Sequence, residues 1–287
     1  MEPLLNADLH CHSVVSDGTL TPEALAARAK ANGVQLWALT DHDEIGGQER
    51  AIASAKALDM KYLTGVEISI TFAGKTVHIV GLGFDHTNTD LVQGLRNTRG
   101  GRAERAKEMS EGLAKVGIHG AFEGALQYVG NPDLISRTHF ARHLVESGVC
   151  RDTNEVFRKF LTEGKPGFVP HRWAQLGDAV RWITEAGGLA VIAHPARYDH
   201  NPTREYALFT EFKAHGGRGV EVVTGSHTAA EYVTYAAMAQ EFDLAASRGS
   251  DFHSPDESHT DLGALPLLPG HLTPIWETLA HRVRPAA

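Results

Sequence analysis

The sequence predicts an α/β protein with a mostly parallel sheet and a long, mostly helical insertion. Three observations predict it. Seven short β-like runs recur along 287 residues; amphipathic patterns of helical period fill most connections between them; and the stretch between the fourth and fifth runs carries helical periodicity with no strand in it.

The first run, LLNADL from Leu4, leads to Thr21-Pro22, an N-cap with proline at the first helical position, and EALAARAKANG then stops at Gly33. The second run is VQLWALT from Val34, followed by the helical RAIASAKALD. The third and fourth, KYLTGVEISI from Lys61 and KTVHIVGLGF from Lys75, leave no room for a helix between them. Alternation on both sides of Gly74 predicts a hairpin, which brings the start of the fourth run close to the end of the third. After the insertion, about Thr87 to Leu176, come GGLAVIAH from Gly187, GVEVVTG from Gly219, the helical AAEYVTYAAMAQEF, and FDLAASRGSD from Phe242. This pattern by itself fits an open sheet or a barrel.

Composition narrows the function classes. The length and 42% hydrophobic content suit one large core. No charged leader, and no apolar run of the roughly 18 residues a membrane span needs, is present, so a cytoplasmic protein without membrane contact is expected. Cys11 and Cys150 form no C-x-x-C pair, and a net charge of −8 argues against a general nucleic-acid binder. No protein partner is evident. The 17 histidines are the unusual number.

Many of those histidines fall at the ends of runs. In ADLHCHSVVSDG, His10 and His12 share one face of an extended strand while Cys11 points away, a possible metal chelate. TDHD (Thr40 to Asp43) ends the second run, Glu67 lies late in the third, His78 starts the fourth, His194 ends the fifth, and Asp251 with His253 ends the seventh. Any one of these is explained by solvated loop charge. Together they mark the carboxyl-end face of a parallel sheet, where α/β active sites sit.

The ordered motifs DLHCHSVVSDG, LTDHD, GVEIS, VHIVGLGFD, AHP and GSDFHSP resemble those of the PHP (polymerase and histidinol phosphatase) superfamily of metal-dependent phosphoesterases, from Asp8 to Pro255. The resemblance implies a distorted (β/α)7 TIM-like barrel, residues 1–86 and 177–287, interrupted by a helical cap at 87–176. It implies metal ligands at His10, His12, Asp17, His42, Glu67, His78, His194, Asp251 and His253, with no position of the pattern missing. Nine ligands exceed one ion, so a cluster of up to three is expected, with Glu67 shared. Imidazole mixed with carboxylate suits manganese first, then iron or zinc, whereas magnesium prefers oxygen. Such clusters activate water and clamp the attacking and leaving oxygens of phosphoryl transfer. His194 and Asp251 are candidates to relay protons as well. No G-x-S-x-G elbow or P-loop offers another chemistry.

Substrate clues lie in the insertion. From Arg96 to Arg172 there are 13 basic and 9 acidic residues, net +4 against −12 elsewhere, a polarity suited to an anionic substrate. Arg102 and Arg105, after Gly100-Gly101, fall on one helical face and can converge. Ser136 is an N-cap that places free N–H groups, Arg137 and His139 around one helix start, a phosphate site by geometry. GFVPHRW adds His171 and Arg172, with Trp173 as a stacking surface. The resemblance is to the branch acting on nucleotides, which removes the 3′-phosphate of nucleoside 3′,5′-bisphosphates and in related cases trims short RNA from its 5′ end. Histidinol-phosphate phosphatase is the alternative within the same chemistry, and a metal-binding interaction module the alternative outside it.

Overall fold

The computed structural model describes residues 5–171 and 173–286, so Leu4 and Arg172 lie outside the described residues. Strand β1 (Ala7–Asp8), helix α1 (Pro22–Ala31), β2 (Leu36–Trp37), α2 (Gln48–Ala57) and β3 (Lys61–Tyr62) form the first repeats. Helix α1 starts as the sequence predicts: Thr21 accepts a hydrogen bond from the Ala24 N–H, and Pro22 occupies the first turn.

The third run splits. Strand β3 ends before Leu63, and β4 (Gly65–Phe72) begins after Thr64, whose hydroxyl donates to the Phe84 carbonyl at 2.6 Å. Strand β5 (Lys75–Leu82) then pairs antiparallel with β4 through Phe72↔Lys75. Ala73 and Gly74 both take positive φ, 47° and 79°, the geometry of a two-residue hairpin turn.

The stretch between β5 and β6 is helical: α3 (Thr89–Arg99), α4 (Arg102–Ala114), α5 (Ala121–Leu126), α6 (Arg137–Glu146), α7 (Thr153–Val156) and a π-helical turn at Phe157–Leu161. Helix α8 (Leu176–Glu185), β6 (Leu189–Ile192), α9 (Pro202–Ala214), β7 (Gly219–Thr224), α10 (Ala229–Glu241), β8 (Ala245–Gly249) and α11 (Ile275–Thr278) complete the chain. Among the described residues no helix is long and apolar enough to cross a membrane.

The fold is mixed α/β. Strands β1-β2-β3 make a parallel three-stranded sheet, and β4-β5-β6-β7-β8 a five-stranded one whose last three strands run parallel. Isolated bridges join the sheets on both sides: Cys11 bridges Phe252, and His42, past the end of β2, bridges Glu67 within β4. The first junction needs a glycine, because a side chain at Gly249 would meet His10 Cβ at 2.3 Å. Both junctions are made by residues of the histidine-rich motifs, so the sequence that builds the site also closes the sheets on each other.

The largest core packs β4–β8 against α8, α9 and α10, through Ile68, Ile79, Ile183, Phe209 and Phe212. Leu91 and Leu95 of α3 belong to this core, whereas α4 to α7 enclose their own around Met109, Leu113, Phe140 and Leu144. A fully buried side chain of this size stabilises by about 1.5–3 kcal/mol, enough for four short helices to hold a fixed platform.

Candidate metal centre and anion site

All nine residues of the expected ligand set converge. His12, Asp17, His42 and His253 form one potential metal-holding group; His10, Glu67 and His194 a second; His10, His12 and Asp251 a third; His42, Glu67 and His78 a fourth. Glu67 is central and fully buried. One of its oxygens lies 2.8 Å from His78 Nδ1 and 2.9 Å from His194 Nε2, and the other 2.9 Å from His42 Nδ1 and 3.3 Å from both His10 and His12 Nε2.

His194 Nε2 and Glu67 Oε1 are placed for a hydrogen bond, but much of the cluster is not satisfied that way. His10 and His12 Nε2 face each other at 3.2 Å, and His12 Nδ1, Asp17 Oδ1, His42 Nδ1 and Glu67 Oε2 are buried with no hydrogen-bond partner. Buried polar atoms are almost always paired, so lone pairs left converging fit shared metal ions rather than a hydrogen-bonded core. The electrostatics agree. Burial resists charge throughout, yet Glu221 and Glu67 hold His10 well above the usual histidine range, and Asp251 and Glu67 push His12 up to about 10. Asp17, Glu67 and Asp251 fall well below the carboxylate range despite burial, through His42, His78 and His10 respectively. Such a cluster demands positive charge, which cations supply.

The backbone is strained where it presents ligands. His194 (φ 23°) and Asp251 (φ 54°) take positive φ, as does Asp43 (φ 50°) beside His42. Each such residue costs about 1–3 kcal/mol and persists only when its surroundings hold it. The His194 N–H donates to Glu221 at 2.7 Å, the Asp251 N–H to the His10 carbonyl at 2.8 Å, and the Asp43 N–H to the Glu67 carbonyl at 2.8 Å. Asp41 orders the loop carrying Asp17, accepting from the Ser13 N–H and the Ser13 and Ser16 hydroxyls at 2.6–2.8 Å.

A cavity opens over the cluster. Asp17, His42, His78 and His253 line one side, and Arg102, Arg105, Ser136, Arg137, Phe157, Trp173 and Arg197 the rest. Arg102 and Arg105 do converge, both over the Trp173 ring at 4.5 and 5.5 Å. Their roles differ. Arg102 is ion-paired to Asp43, which also accepts from the Ser69 N–H and hydroxyl. Arg105 and Arg137 have only carbonyl partners, Val169 and Leu161, and among the described residues no carboxylate lies within ion-pair distance of either. Burial, with Arg137 and Arg102 nearby, pulls Arg105 down to about 9; burial, with Arg197 and Arg102, lowers Arg137. Cations crowded this way bind an anion favourably.

Two expected anion ligands sit elsewhere. His139 is fully buried, and its Nδ1 accepts the Ser136 N–H at 3.0 Å, closing the start of α6 on itself; burial pushes it down to about 4. It supports Ser136 and Arg137 from behind. Ser136 Oγ stands 3.4 Å from Asp17 Oδ2, at the edge of the metal cluster. His171 packs edge-on against Trp173 at 4.2 Å, outside the cavity lining.

Sequence reasoning missed Glu221, Arg197 and Asp43. A carboxylate inside the apolar run GVEVVTG was the available signal for Glu221. Arg197 follows His194 by three residues, and its Nη1 lies 2.6 Å from Asp251. Asp43 sits within TDHD, where nothing in the local pattern marks it as the partner of Arg102.

Known proteins match this geometry. The PHP domain model matches residues 8–143. A 3′,5′-nucleoside bisphosphate phosphatase of Chromobacterium violaceum is 50% identical over 284 residues, 99% of this chain and 100% of that protein. A 5′-3′ exoribonuclease of Haemophilus influenzae is 40% identical, over 94% of this chain and 97% of its own. The solved structure of an amidohydrolase from Chromobacterium violaceum, with sulfate bound and no metal, superposes with a TM-score of 0.96 at 50% identity, over 98% of each chain. With nine convergent donor residues of the expected pattern and relatives matched end to end, the chain belongs to the PHP domain family.

Proposed function

We propose that the protein is a metal-dependent phosphatase that removes the 3′-phosphate from nucleoside 3′,5′-bisphosphates, yielding the 5′-monophosphate and inorganic phosphate. One observation carries the reading: a single cavity is lined by Asp17, His42, His78 and His253 of the nine-residue cluster and by Arg105 and Arg137, two guanidiniums with no carboxylate within ion-pair distance among the described residues. A substrate with two separated phosphates fits both. The half-identical relative named for this activity supports it.

His10, His12, Asp17, His42, Glu67, His78, His194, Asp251 and His253 would hold up to three ions, a mixed imidazole and carboxylate set that accepts manganese, iron or zinc. When bound, the ions would supply Lewis acidity toward the phosphoryl oxygens and lower the pKa of a coordinated water. Asp251, which His10 and Arg197 hold ionised against burial, would serve as an anionic metal ligand rather than as the base. His194, which burial and Arg197 push down to about 4, carries no spare proton at neutral pH and serves as a ligand rather than an acid. Arg105 and Arg137 would hold the 5′-phosphate, with Arg102 aligned beside them by Asp43.

The junctions at Cys11–Phe252 and His42–Glu67 support reading the two sheets as one distorted (β/α)7 barrel. The separate core of α4–α7 supports a substrate-binding cap within 87–176. A nucleotide substrate accords with a cytoplasmic location.

The test is phosphate release from a 3′,5′-bisphosphate, its 3′-monophosphate and histidinol phosphate under the same manganese concentration. The bisphosphate is expected to exceed both in kcat/KM by about 10²-fold or more, because two charge-assisted contacts of about 1.5–3 kcal/mol each act only on it. Equal rates for the two nucleotides, or faster release from histidinol phosphate, would replace this reading with a general monoesterase.

A second cavity favours a related reading, the trimming of short RNA from its 5′ end. It shares Thr138, Phe157, Arg197 and His253 with the first and continues to Asp251, Ser226, Ser258 and Thr260. It offers room for a nucleoside esterified to the reacting phosphate. Water would break the same P–O3′ bond, releasing one 5′-mononucleotide and leaving a new 5′-phosphate end. Ser226→Trp, which fills only this second space, is expected to slow a 5′-phosphorylated dinucleotide at least 10-fold while sparing the bisphosphate. An equal change for both would assign the second cavity no part in substrate binding.

A further inference from the structure

Glu221 touches neither the first cavity nor a neighbouring carboxylate, yet it contacts two of the nine ligand residues. It lies on β7 among buried valines and is itself buried. Its Oε1 stands 2.8 Å from His10 Nδ1, and its Oε2 accepts the His194 N–H at 2.7 Å. The pairing of β7 with β8 shifts register between Glu221 and Val223, a bulge at the point where this side chain leaves the strand.

Each contact decides something about the cluster. An imidazole that binds metal is neutral and keeps one N–H, and the Glu221 carboxylate can only accept. The proton of His10 therefore stays on Nδ1, leaving the Nε2 lone pair facing Glu67, Asp251 and His12 at 3.2–3.5 Å. At His194 the carboxylate holds a backbone N–H at φ 23°, a conformation a side chain disfavours. One carboxylate thus sets the tautomer of one ligand and the backbone of another.

We propose that Glu221 is a positioning residue that confers metal affinity without binding metal or substrate. The inference rests on reading the cluster as a metal centre. Glutamine in its place is nearly isosteric, but it cannot accept from both His10 and His194. An amide N–H turned to His10 Nδ1 would drive the ring proton to Nε2, into the cluster. An amide turned the other way would oppose the His194 N–H.

The experiment measures manganese and zinc affinity by calorimetry in the wild type, Glu221→Gln and Glu221→Asp, with thermal unfolding of each metal-free protein. Nitrogen-15 spectra of the zinc-loaded histidine rings report the tautomers. Glu221→Gln is expected to bind 10- to 100-fold more weakly, with metal-free unfolding within a few degrees of wild type and turnover largely recovered at saturating metal. The wild-type spectrum is expected to show an Nδ1-protonated ring at His10. Should glutamine fail to fold, the aspartate variant, which keeps the charge but cannot span both contacts, decides by the same affinity loss. Wild-type affinity in whichever variant folds, or an Nε2-protonated His10 in the loaded wild type, overturns the proposal. A wild-type protein that binds no metal instead removes the reading on which it rests.

Discussion

Glu67→Gln is expected to abolish tight metal binding and to lower phosphate release by about 10³-fold or more. Glu67 is the one side chain whose two oxygens reach five imidazoles: His78 and His194 on one side, His42, His10 and His12 on the other. Glutamine removes the charge and turns an N–H₂ donor toward nitrogens that should present lone pairs. Loss of Lewis-acid stabilisation is worth several kcal/mol in the transition state, and each 1.4 kcal/mol is tenfold in rate. Removing one member of a buried charged group also costs about 3–5 kcal/mol of stability. Metal per chain should therefore be measured on protein shown to be folded by circular dichroism at low temperature. Wild-type metal content with full turnover would end the metal reading.

The second large effect belongs to the two arginines of the cap. Arg105→Ala and Arg137→Ala together are expected to reduce kcat/KM for the bisphosphate by about 10² to 10⁴, the sum of two charge-assisted contacts of about 1.5–3 kcal/mol. The 3′-monophosphate, which lacks the group they hold, should change by no more than a few-fold. This comparison isolates the contact from collateral damage, because lost packing of the Arg105 stem on Trp173 lowers both substrates alike. Metal content should stay at wild type. Equal losses on the two nucleotides would make these arginines structural or place them on the reacting phosphate.

Several features were legible because they depend on neighbours in the chain. H-x-H shares a face by the two-residue period of a strand, and His10 and His12 do meet. The short link around Gly74 permits only a hairpin, and that hairpin carries His78 back to Glu67. The anion site was harder to read. His139 sits at the third position of α6, where an imidazole can face outward to a ligand or fold back on the N-cap. Helical spacing allows both, and burial beneath the cap selected the second. Arg102 and Arg105 share a face as expected, but only the distant Asp43, brought close by its own strained turn, distinguishes the paired cation from the one without a carboxylate partner.

The sequence by itself determined the donor types, their order at successive strand ends, and the basic balance of the insertion, because each follows from residue identity and short-range periodicity. The tertiary structure decided which donor atoms converge, which guanidiniums lack a carboxylate partner, and which buried carboxylate orients the ligands. His10 and Glu221 are 211 positions apart. The chain after Asp8 runs beside the end of β8, closest at Gly249, where the missing side chain lets the two backbones approach and His10 reach the sheet that carries Glu221. No local pattern encodes that approach; it follows from how the two sheets join.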